Sequence, residues 1–266
     1  MNTQNNARHP ALLDFRNITV FRGLTEALHN ITLRVDVGEH VCILGPNGCG
    51  KSTLIQTVTR ELYPVARENS SISILGKERW EVYELRTQLG IVSPDLLASC
   101  TSDVTGADIV LSGFFSSTRI FRHHRVEQRL LERVQAALAA LRIAHLADRP
   151  VAEMSSGEAK RVLIARALVH QPKTLLFDEP SNSLDIGAQQ RLRETMRELA
   201  QREIGILLVT HHLADIIPEI ERVVLLSEGR IAADGPKEQM LTADRLAALF
   251  GAPVQIAQRD GYYHLY

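Results

Sequence analysis

The chain has 266 residues, enough to form one large α/β domain or two unequal domains. Its 30 basic and 31 acidic side chains leave a formal net charge of −1, which gives no electrostatic argument for general nucleic-acid binding. No apolar run is long enough to span a bilayer, residues 1–10 lack the apolar centre of a signal peptide, and the 3 cysteines show no metal-binding spacing. These features predict a soluble, cytoplasmic protein that contacts a membrane only through a partner.

Strand and helix patterns alternate over most of the chain. Residues 12–20 and 31–35 alternate apolar and polar side chains, which is typical of half-buried strands, whereas 41–44 is a continuous apolar run typical of a buried parallel strand. Further strands are predicted at 71–75, 175–177, 206–209, 223–226 and 231–233, and helices at 52–62, 186–201 and 244–249. This alternation predicts a largely parallel sheet that is covered on both faces.

The segment from residue 94 to about 170 differs, because its strand patterns fade. Apolar side chains recur there at helical spacing, and they are Val126, Leu130, Val134, Leu138 and Leu141. Charged side chains occupy the opposite face, which is typical of an amphipathic helix. The pattern predicts a single domain, 1–266, in which a helical subdomain at 94–170 is inserted into an α/β core formed by 1–93 and 171–266.

A glycine-rich loop lies between the apolar run 41–44 and the predicted helix 52–62. It fits the pattern G-x-x-x-x-G-K-[S/T], and its residues are Gly45, Pro46, Asn47, Gly48, Cys49, Gly50, Lys51, Ser52 and Thr53. Glycines let the backbone turn so that its N–H groups surround an anion at a helix N-terminus. Lys51 would bind the β- and γ-phosphates, and the Ser52 hydroxyl would ligate Mg²⁺. The loop therefore predicts a nucleotide-phosphate site rather than a chance glycine-rich turn.

Two carboxylates follow the predicted strand 175–177. Asp178, at the end of a buried strand, would hold Mg²⁺ directly or through water. Glu179 would polarise the water opposite the γ-phosphate or accept its proton. The alternative, a solvated strand end, is disfavoured by the phosphate loop upstream. We therefore predict Ser52 and Asp178 as metal ligands, and Glu179 together with Lys51 as catalytic residues.

Residues 154–158 carry a resemblance to a known family. Their sequence, M-S-S-G-E, is similar to the L-S-G-G-Q signature of the ABC-type ATPases, with matches at Ser155 and Gly157. Ser155 and Glu158 also form a capping box, which by itself would only start a helix. Together with the phosphate loop and the two carboxylates, the signature makes the chain resemble this family over nearly its whole length.

The resemblance implies a fold and a set of site residues. The fold is an α/β P-loop NTPase core with a mainly parallel sheet, an N-terminal antiparallel β part and an inserted helical subdomain. In this family a histidine like His211 contacts the γ-phosphate, and an aromatic residue like Phe21 stacks on adenine. Ser155 and Gly157 would complete the ATP site of the opposite subunit, in a homodimer or a paired ATPase subunit.

The resemblance also implies a function. Residues 235–251 resemble the tail of ATPases from metal-chelate, siderophore and molybdate-type importers. The expected function is ATP and Mg²⁺ binding with ATP hydrolysis that powers an ABC transporter of the import type. The implied partners are membrane-spanning permease subunits and a solute-binding protein, which places the chain on the inner face of the cell membrane.

The chain departs from the family pattern at positions that couple hydrolysis to movement. Pro94 stands where the family usually has a glutamine, and we expect Asp95 to take over part of the role of that side chain in binding Mg²⁺ or positioning water. Alternatively, this loop only hinges the helical subdomain. Asn182 and Ser183 replace the first two residues of the S-A-L-D loop of the family.

Two further features have a functional and a simpler interpretation. Cys49 lies near a helix N-terminus, a setting that lowers a thiol pKa, but the preferred interpretation is a small residue that fits the loop. The basic segment 119–125, from Arg119 to Arg125, could bind nucleic acid or acidic headgroups, or dock on the membrane partner. Its simplest interpretation is a solvated loop.

Other functional classes stay open at this point. One is a stand-alone ABC ATPase that acts on nucleic acid, the ribosome or a protein partner. Such proteins usually carry two cassettes or a long coiled coil, whereas this chain has one cassette and a short insertion, so transport is favoured and no nucleic-acid partner is expected. A binding module without hydrolysis is disfavoured by the presence of Lys51, Asp178 and Glu179.

Overall fold

The computed structural model of the chain describes residues 10–94, 103–117, 120–121 and 124–266. Its strands are β1 (Ala11–Arg22), β2 (Thr25–Asp36), β3 (His40–Leu44), β4 (Ser71–Ile74), β5 (Leu89–Val92), β6 (Thr174–Asp178), β7 (Gly205–Thr210), β8 (Arg222–Ser227), β9 (Arg230–Pro236), β10 (Ile256–Arg259) and β11 (Tyr262–Leu265). Its α-helices are α1 (Lys51–Val58), α2 (Val82–Gln88), α3 (Gly106–Ser112), α4 (Gln128–Ala140), α5 (Ser156–Leu168), α6 (Ile186–Ala200), α7 (Lys237–Met240) and α8 (Ala243–Phe250).

The strands form a large central sheet, a smaller antiparallel sheet and a terminal hairpin. The central sheet has the strand order β5-β6-β7-β3-β8-β9, and its neighbours are parallel except for the antiparallel pair β8 and β9. The second sheet has the order β2-β1-β4 and is antiparallel. The predicted mainly parallel sheet and the predicted N-terminal antiparallel part are therefore both confirmed.

The central sheet is covered on both faces because its side chains alternate between two apolar cores. Along β3, Val41 and Ile43 join the core shared with the antiparallel sheet, whereas Cys42 and Leu44 join the core on the opposite face. β6 and β7 alternate in the same way. Since both faces are occupied, the loops at the carboxyl ends of the strands are where chemistry can be placed.

The helical part packs on one face of the central sheet. Val110 of α3, Leu138 of α4 and Leu163 of α5 belong to the same apolar cluster as Leu44 and Phe177 of the sheet. The helices and the sheet thus share one core. The predicted division into an α/β part and a helical subdomain, with boundaries near residues 93 and 171, stays a prediction. The two parts share one apolar core.

Most predicted elements are present with shifted ends. The helix predicted at 52–62 is α1, which ends at Val58, and Arg60 just beyond it has a φ of 62°, in the left-handed region that does not continue a helix. The strand predicted at 31–35 is the end of the longer β2, because pairing with β1 extends it. The hairpin of β10 and β11 was not predicted, since both strands are short. Within the described ranges, no helix is long and apolar enough to cross a bilayer.

Candidate functional site

The glycine-rich loop 45–53 connects β3 to α1 at the carboxyl edge of the central sheet. Gly48 and Gly50 have φ values of 80° and 110°, which other residues rarely adopt. Gly45 is required by a close approach, because a Cβ atom at this position would lie 2.3 Å from the backbone oxygen of Leu226. Its N–H donates to the backbone oxygen of Thr210 at 3.3 Å. Each glycine of the loop is therefore needed for its backbone conformation or for its packing.

Lys51 is buried at the start of α1, with 6 % of its side chain exposed. Its ammonium donates to the backbone oxygens of Gly45 at 2.8 Å and Pro46 at 2.9 Å, and lies 3.3 Å from Glu179 Oε1. A buried charge needs such partners, because removing it from water is costly. A phosphate bound in the loop would compete with Glu179 for the ammonium, since charged oxygens form the strongest hydrogen bonds with it.

Glu179 joins Lys51 to the segment after β7. It has a φ of 43°, a strained conformation for a residue with a Cβ, and its N–H donates to the backbone oxygen of Val209 at 2.8 Å. Its carboxylate is 13 % exposed, and Oε2 lies 2.7 Å from His211 Nδ1. The side chains of Lys51, Glu179 and His211 come from three separate segments and converge beside the loop, because β6, β7 and β3 are consecutive in the sheet.

Ser52 and Asp178 line one cavity of 460 Å³ between the sheet and the helical part. Mg²⁺ prefers oxygen ligands and usually binds through one or two carboxylates together with waters and nucleotide phosphates. One hydroxyl and one carboxylate on the same cavity fit that set. In the part of the chain that the structure describes, no group of three or more His, Cys, Asp or Glu side chains could hold a metal on its own. Waters and nucleotide phosphate oxygens are the further ligands that Mg²⁺ usually takes.

A buried carboxylate that sequence reasoning missed connects the loops after β6 and β7. Asp215 is 1 % exposed, and its Oδ2 accepts hydrogen bonds from Ser181 Oγ at 2.6 Å and Thr210 Oγ1 at 2.9 Å. Burial raises the pKa of Asp215, and these two hydrogen bonds offset part of that rise. Ser181 lies two residues after Glu179, and Thr210 immediately precedes His211. Asp215 thus holds the two segments that carry Glu179 and His211 against each other.

Replacing Asp215 by alanine is expected to lower the free energy of unfolding by about 2–6 kcal/mol. The reason is that two buried hydroxyls lose their acceptor, at roughly 1–3 kcal/mol each. Asp215→Asn keeps an amide oxygen that can accept both hydrogen bonds. Its free energy of unfolding should therefore fall by less than about 1 kcal/mol. Urea unfolding of the three proteins measures the difference. Equal losses in the two variants would show that the hydrogen bonds do not stabilise this region.

A cleft of 630 Å³ extends from the loop to the hairpin of β1 and β2. Six of the nine predicted loop residues line it: Asn47, Gly48, Gly50, Lys51, Ser52 and Thr53. Glu179 and His211 line it as well, whereas Gly45, Pro46 and Cys49 are not among the described residues that line it. Phe21, the expected adenine partner, is 39 % exposed and is also not among them, but its neighbour Arg22 is. The position of Phe21 therefore does not support the role expected from the family.

The signature residues lie at the start of α5. Ser155 is the N-cap, and its hydroxyl accepts a hydrogen bond from the N–H of Glu158 at 3.3 Å while Glu158 Oε2 accepts from the N–H of Ser155 at 2.8 Å. The hydrogen bonds that Glu158 Oε2 accepts from the N–H and from the hydroxyl of Ser155 hold the pKa of Glu158 below its usual value. A Cβ atom on Gly157 would lie 2.9 Å from Cβ of Ala188, so glycine lets α5 approach α6 closely. Ser155 and Gly157 are not among the described residues that line the cleft beside Lys51.

The remaining predictions concern Cys49, the loop at Asn182 and Ser183, Asp95 and the basic segment 119–125. Cys49 is buried, with 4 % exposed, and burial raises the pKa of its thiol, which agrees with the preferred interpretation of a small residue that fits the loop. Asn182 lines the cleft, and Ser183 has a φ of 65°. Asp95 lies outside the described residues, as do Arg119 and two further residues of the basic segment.

Comparison with known proteins places these features in a family. The family model described as "ABC transporter" matches residues 28–182, which is more than half of the chain. The hemin import ATP-binding protein HmuV of Bradyrhizobium diazoefficiens is 32 % identical over 269 residues, covering 94 % of this chain and 92 % of that protein. The ferric enterobactin transport ATP-binding protein FepC of Escherichia coli K12 is 31 % identical over 245 residues, covering 91 % of this chain and 88 % of that protein.

The fold agrees with these matches. The structure of cbiO1 from Clostridium perfringens, which is part of the ABC transporter complex cbiONQ, superimposes with a TM-score of 0.74. The two sequences are 28 % identical, and the matched region covers 90 % of this chain and 94 % of that one. From its sequence, its fold and its phosphate loop, the chain belongs to the ABC transporter family, as a nucleotide-binding subunit that hydrolyses ATP.

Proposed function

We propose that Lys51, Glu179 and His211 carry out ATP hydrolysis at the loop 45–53, and that the energy drives an importer. The observation that supports this best is the convergence of the three side chains, with Glu179 lying 3.3 Å from Lys51 Nζ and 2.7 Å from His211 Nδ1. Phosphoryl transfer needs little covalent chemistry from the protein. It needs an oriented water, a fixed γ-phosphate and compensation of the developing negative charge.

Each of the three side chains has a distinct role in this proposal. Lys51 leaves Glu179 when a nucleotide binds and neutralises charge on the β- and γ-phosphates. Glu179, once released, accepts a hydrogen bond from the attacking water and orients it for in-line attack. His211 holds the Glu179 carboxylate through Nδ1 and presents the other edge of its ring to the γ-phosphate.

Ser52 and Asp178 would hold Mg²⁺ in this proposal. When bound, the ion would neutralise part of the negative charge on the nucleotide phosphates. Asp178 reaches the cavity from the end of β6, and Ser52 from the first turn of α1. The shared cavity of the two side chains supports this assignment.

A second copy of the chain, or a paired ATPase subunit, completes the site in this proposal. Ser155 and Gly157 lie at the N-terminus of α5, where free N–H groups favour an anion. Because they do not line the cleft of their own chain among the described residues, they are available to a γ-phosphate held by another subunit. A head-to-tail pair would bring the α5 N-terminus of each subunit to the loop of the other.

Mixing two inactive variants tests this pairing. Lys51→Ala removes a residue of the loop, and Ser155→Arg places a bulky side chain on an exposed position of the α5 N-terminus. Each variant alone should lose nearly all ATPase activity. In a mixed pair one of the two sites carries both changes and the other carries neither, so co-expression should restore about a quarter of the wild-type activity.

The controls for this experiment concern folding. Ser155→Arg removes an N-cap, which costs about 1 kcal/mol and should leave the fold intact, as a thermal unfolding midpoint can confirm. If the mixture of folded variants stays inactive although each is inactive alone, Lys51 and Ser155 act within the same chain. If Ser155→Arg alone keeps its activity, Ser155 has no role. Failure of the wild type itself to hydrolyse ATP would instead contradict the proposed catalytic residues.

The transport direction and the partners are supported by the relatives. HmuV and FepC are named as hemin import and ferric enterobactin transport proteins, which supports a metal-chelate or siderophore importer. Such a subunit would bind membrane-spanning permease subunits at the inner face of the membrane, with a solute-binding protein as a further component. Co-purification of the tagged chain with a multi-span membrane protein would support this. Recovery with ribosomes or RNA would contradict it.

A further inference from the structure

The cleft beside the loop 45–53 continues to the hairpin of β1 and β2. Three backbones are tied together there, because the N–H of Gly229 donates to the backbone oxygen of Cys49 at 2.8 Å and the N–H of His29 donates to that of Gly229 at 2.8 Å. The loop therefore lies directly against β2 near Ala27 and His29. Thr25, the first residue of β2, is two residues before Ala27 and about 7 Å from it. A nucleotide whose phosphates occupy the loop would thus extend its base toward the hairpin.

The hairpin offers one planar cationic side chain to that end of the cleft. Arg22 is opposite Thr25 in the β1–β2 register, and both residues line the cleft. Phe21 is opposite Glu26, and adjacent residues of a strand point to opposite sides. This explains why Arg22 lines the cleft and Phe21, although 39 % exposed, is not among the described lining residues.

A second planar side chain in the cleft is already engaged. His29 Nδ1 lies 2.9 Å from Glu26 Oε1, so the imidazole is held by a carboxylate of the same strand. Arg22, in contrast, is an exposed residue at the end of β1. Its guanidinium can therefore adjust to a base in the cleft.

We propose that the guanidinium of Arg22, and not the ring of Phe21, is the platform on which the nucleotide base stacks. A guanidinium is planar and stacks on aromatic faces, and every base has such a face. The site should therefore bind ATP and GTP with similar affinity. This inference rests on the proposed binding of nucleotide phosphates in the loop.

The test measures the binding of ATP, GTP and inorganic tripolyphosphate, each with Mg²⁺, to the full-length protein by titration calorimetry. Arg22→Ala should weaken ATP and GTP binding about tenfold or more, which is the usual effect of losing one stacking partner. Tripolyphosphate has no base, so its binding should change less than threefold. Arg22→Lys keeps the charge but not the planar face, and should behave like Arg22→Ala.

Two more variants complete the set. Phe21→Ala, the matched control on the neighbouring position, should leave all three affinities within about twofold. Arg22→Tyr restores a planar face and should recover ATP binding. Wild type should discriminate less than about fivefold between ATP and GTP.

The outcomes separate the base platform from the phosphate site. A loss of ATP affinity in Phe21→Ala and none in Arg22→Ala would overturn the inference in favour of the phenylalanine. An equal loss of ATP and tripolyphosphate affinity in Arg22→Ala would overturn it too, because Arg22 would then act only as a charge near the phosphates. If wild type bound neither ATP nor tripolyphosphate, the proposed phosphate site itself would fail, which is a different result.

Discussion

Replacing Glu179 by glutamine is expected to lower the rate of ATP hydrolysis by at least about 100-fold, which is the usual contribution of a positioned general base. Glutamine has the same length and can still contact Lys51 and His211, so the loop should keep its shape. Glutamine cannot accept a proton from the attacking water, and it has no full negative charge with which to hold that water. ATP binding should therefore stay within a few-fold of wild type. Steady-state phosphate release and equilibrium ATP titration measure the two effects separately.

Glu219→Gln is the matched control for this experiment. Glu219 is also a mostly buried carboxylate in an ion pair, 19 % exposed and 2.8 Å from Arg197 Nε, and it is not among the described residues of the cleft. Glu219→Gln should leave the rate of ATP hydrolysis within a few-fold of the wild-type rate. If Glu179→Gln hydrolysed ATP at the wild-type rate, Glu179 would not be the base, and the assignment of the catalytic residues would have to be revised.

Replacing Gly229 by alanine is expected to destabilise the protein by roughly 2–5 kcal/mol and to weaken ATP binding. Gly229 has a φ of 70°, and the left-handed region costs about 1–2 kcal/mol for a residue with a Cβ. A Cβ atom there would lie 2.5 Å from the backbone oxygen of Ala27 and 2.7 Å from His29 Cδ2, so β2 or the β8–β9 turn must shift, at about 1–3 kcal/mol. Since the N–H of Gly229 donates to Cys49, the shift should reach the loop.

Gly76→Ala separates the cost of the left-handed backbone conformation from the cost of the steric contact. Gly76 has a φ of 75°, but a Cβ atom there would meet no atom within 4 Å. It should therefore cost only the conformational part, about 1–2 kcal/mol, with ATP affinity unchanged. Urea unfolding gives the free energies and calorimetry gives the affinities. If the two variants lost equal stability, the contact of Gly229 with β2 would not hold the loop in place.

The residues of the phosphate site could be predicted because they are close in sequence. The loop 45–53 and the pair Asp178 and Glu179 are short motifs whose spacing sets their backbone geometry, and the runs before them mark buried strands. The helices were predicted least well where they are short, since α2 and α3 span only two turns and show little periodicity.

Contacts between distant segments could not be predicted in the same way. Asp215 accepts hydrogen bonds from Ser181 and Thr210, but none of the three belongs to a motif, and Ser181 is 34 positions from Asp215. A polar residue inside the otherwise apolar stretch after β7 was the available signal. It shows that the side chain needs a partner without showing which one.

For this protein, the sequence alone determined the nucleotide-phosphate chemistry, the mainly parallel sheet and the resemblance to the family. Only the tertiary structure decided that Glu179 contacts both Lys51 and His211, and that Arg22 instead of Phe21 lines the cleft. The physical reason is that motifs and hydrophobic periods depend on neighbours within a few residues. Strand order and register depend on the whole core, and a shift of one residue along a strand turns every side chain to the other face.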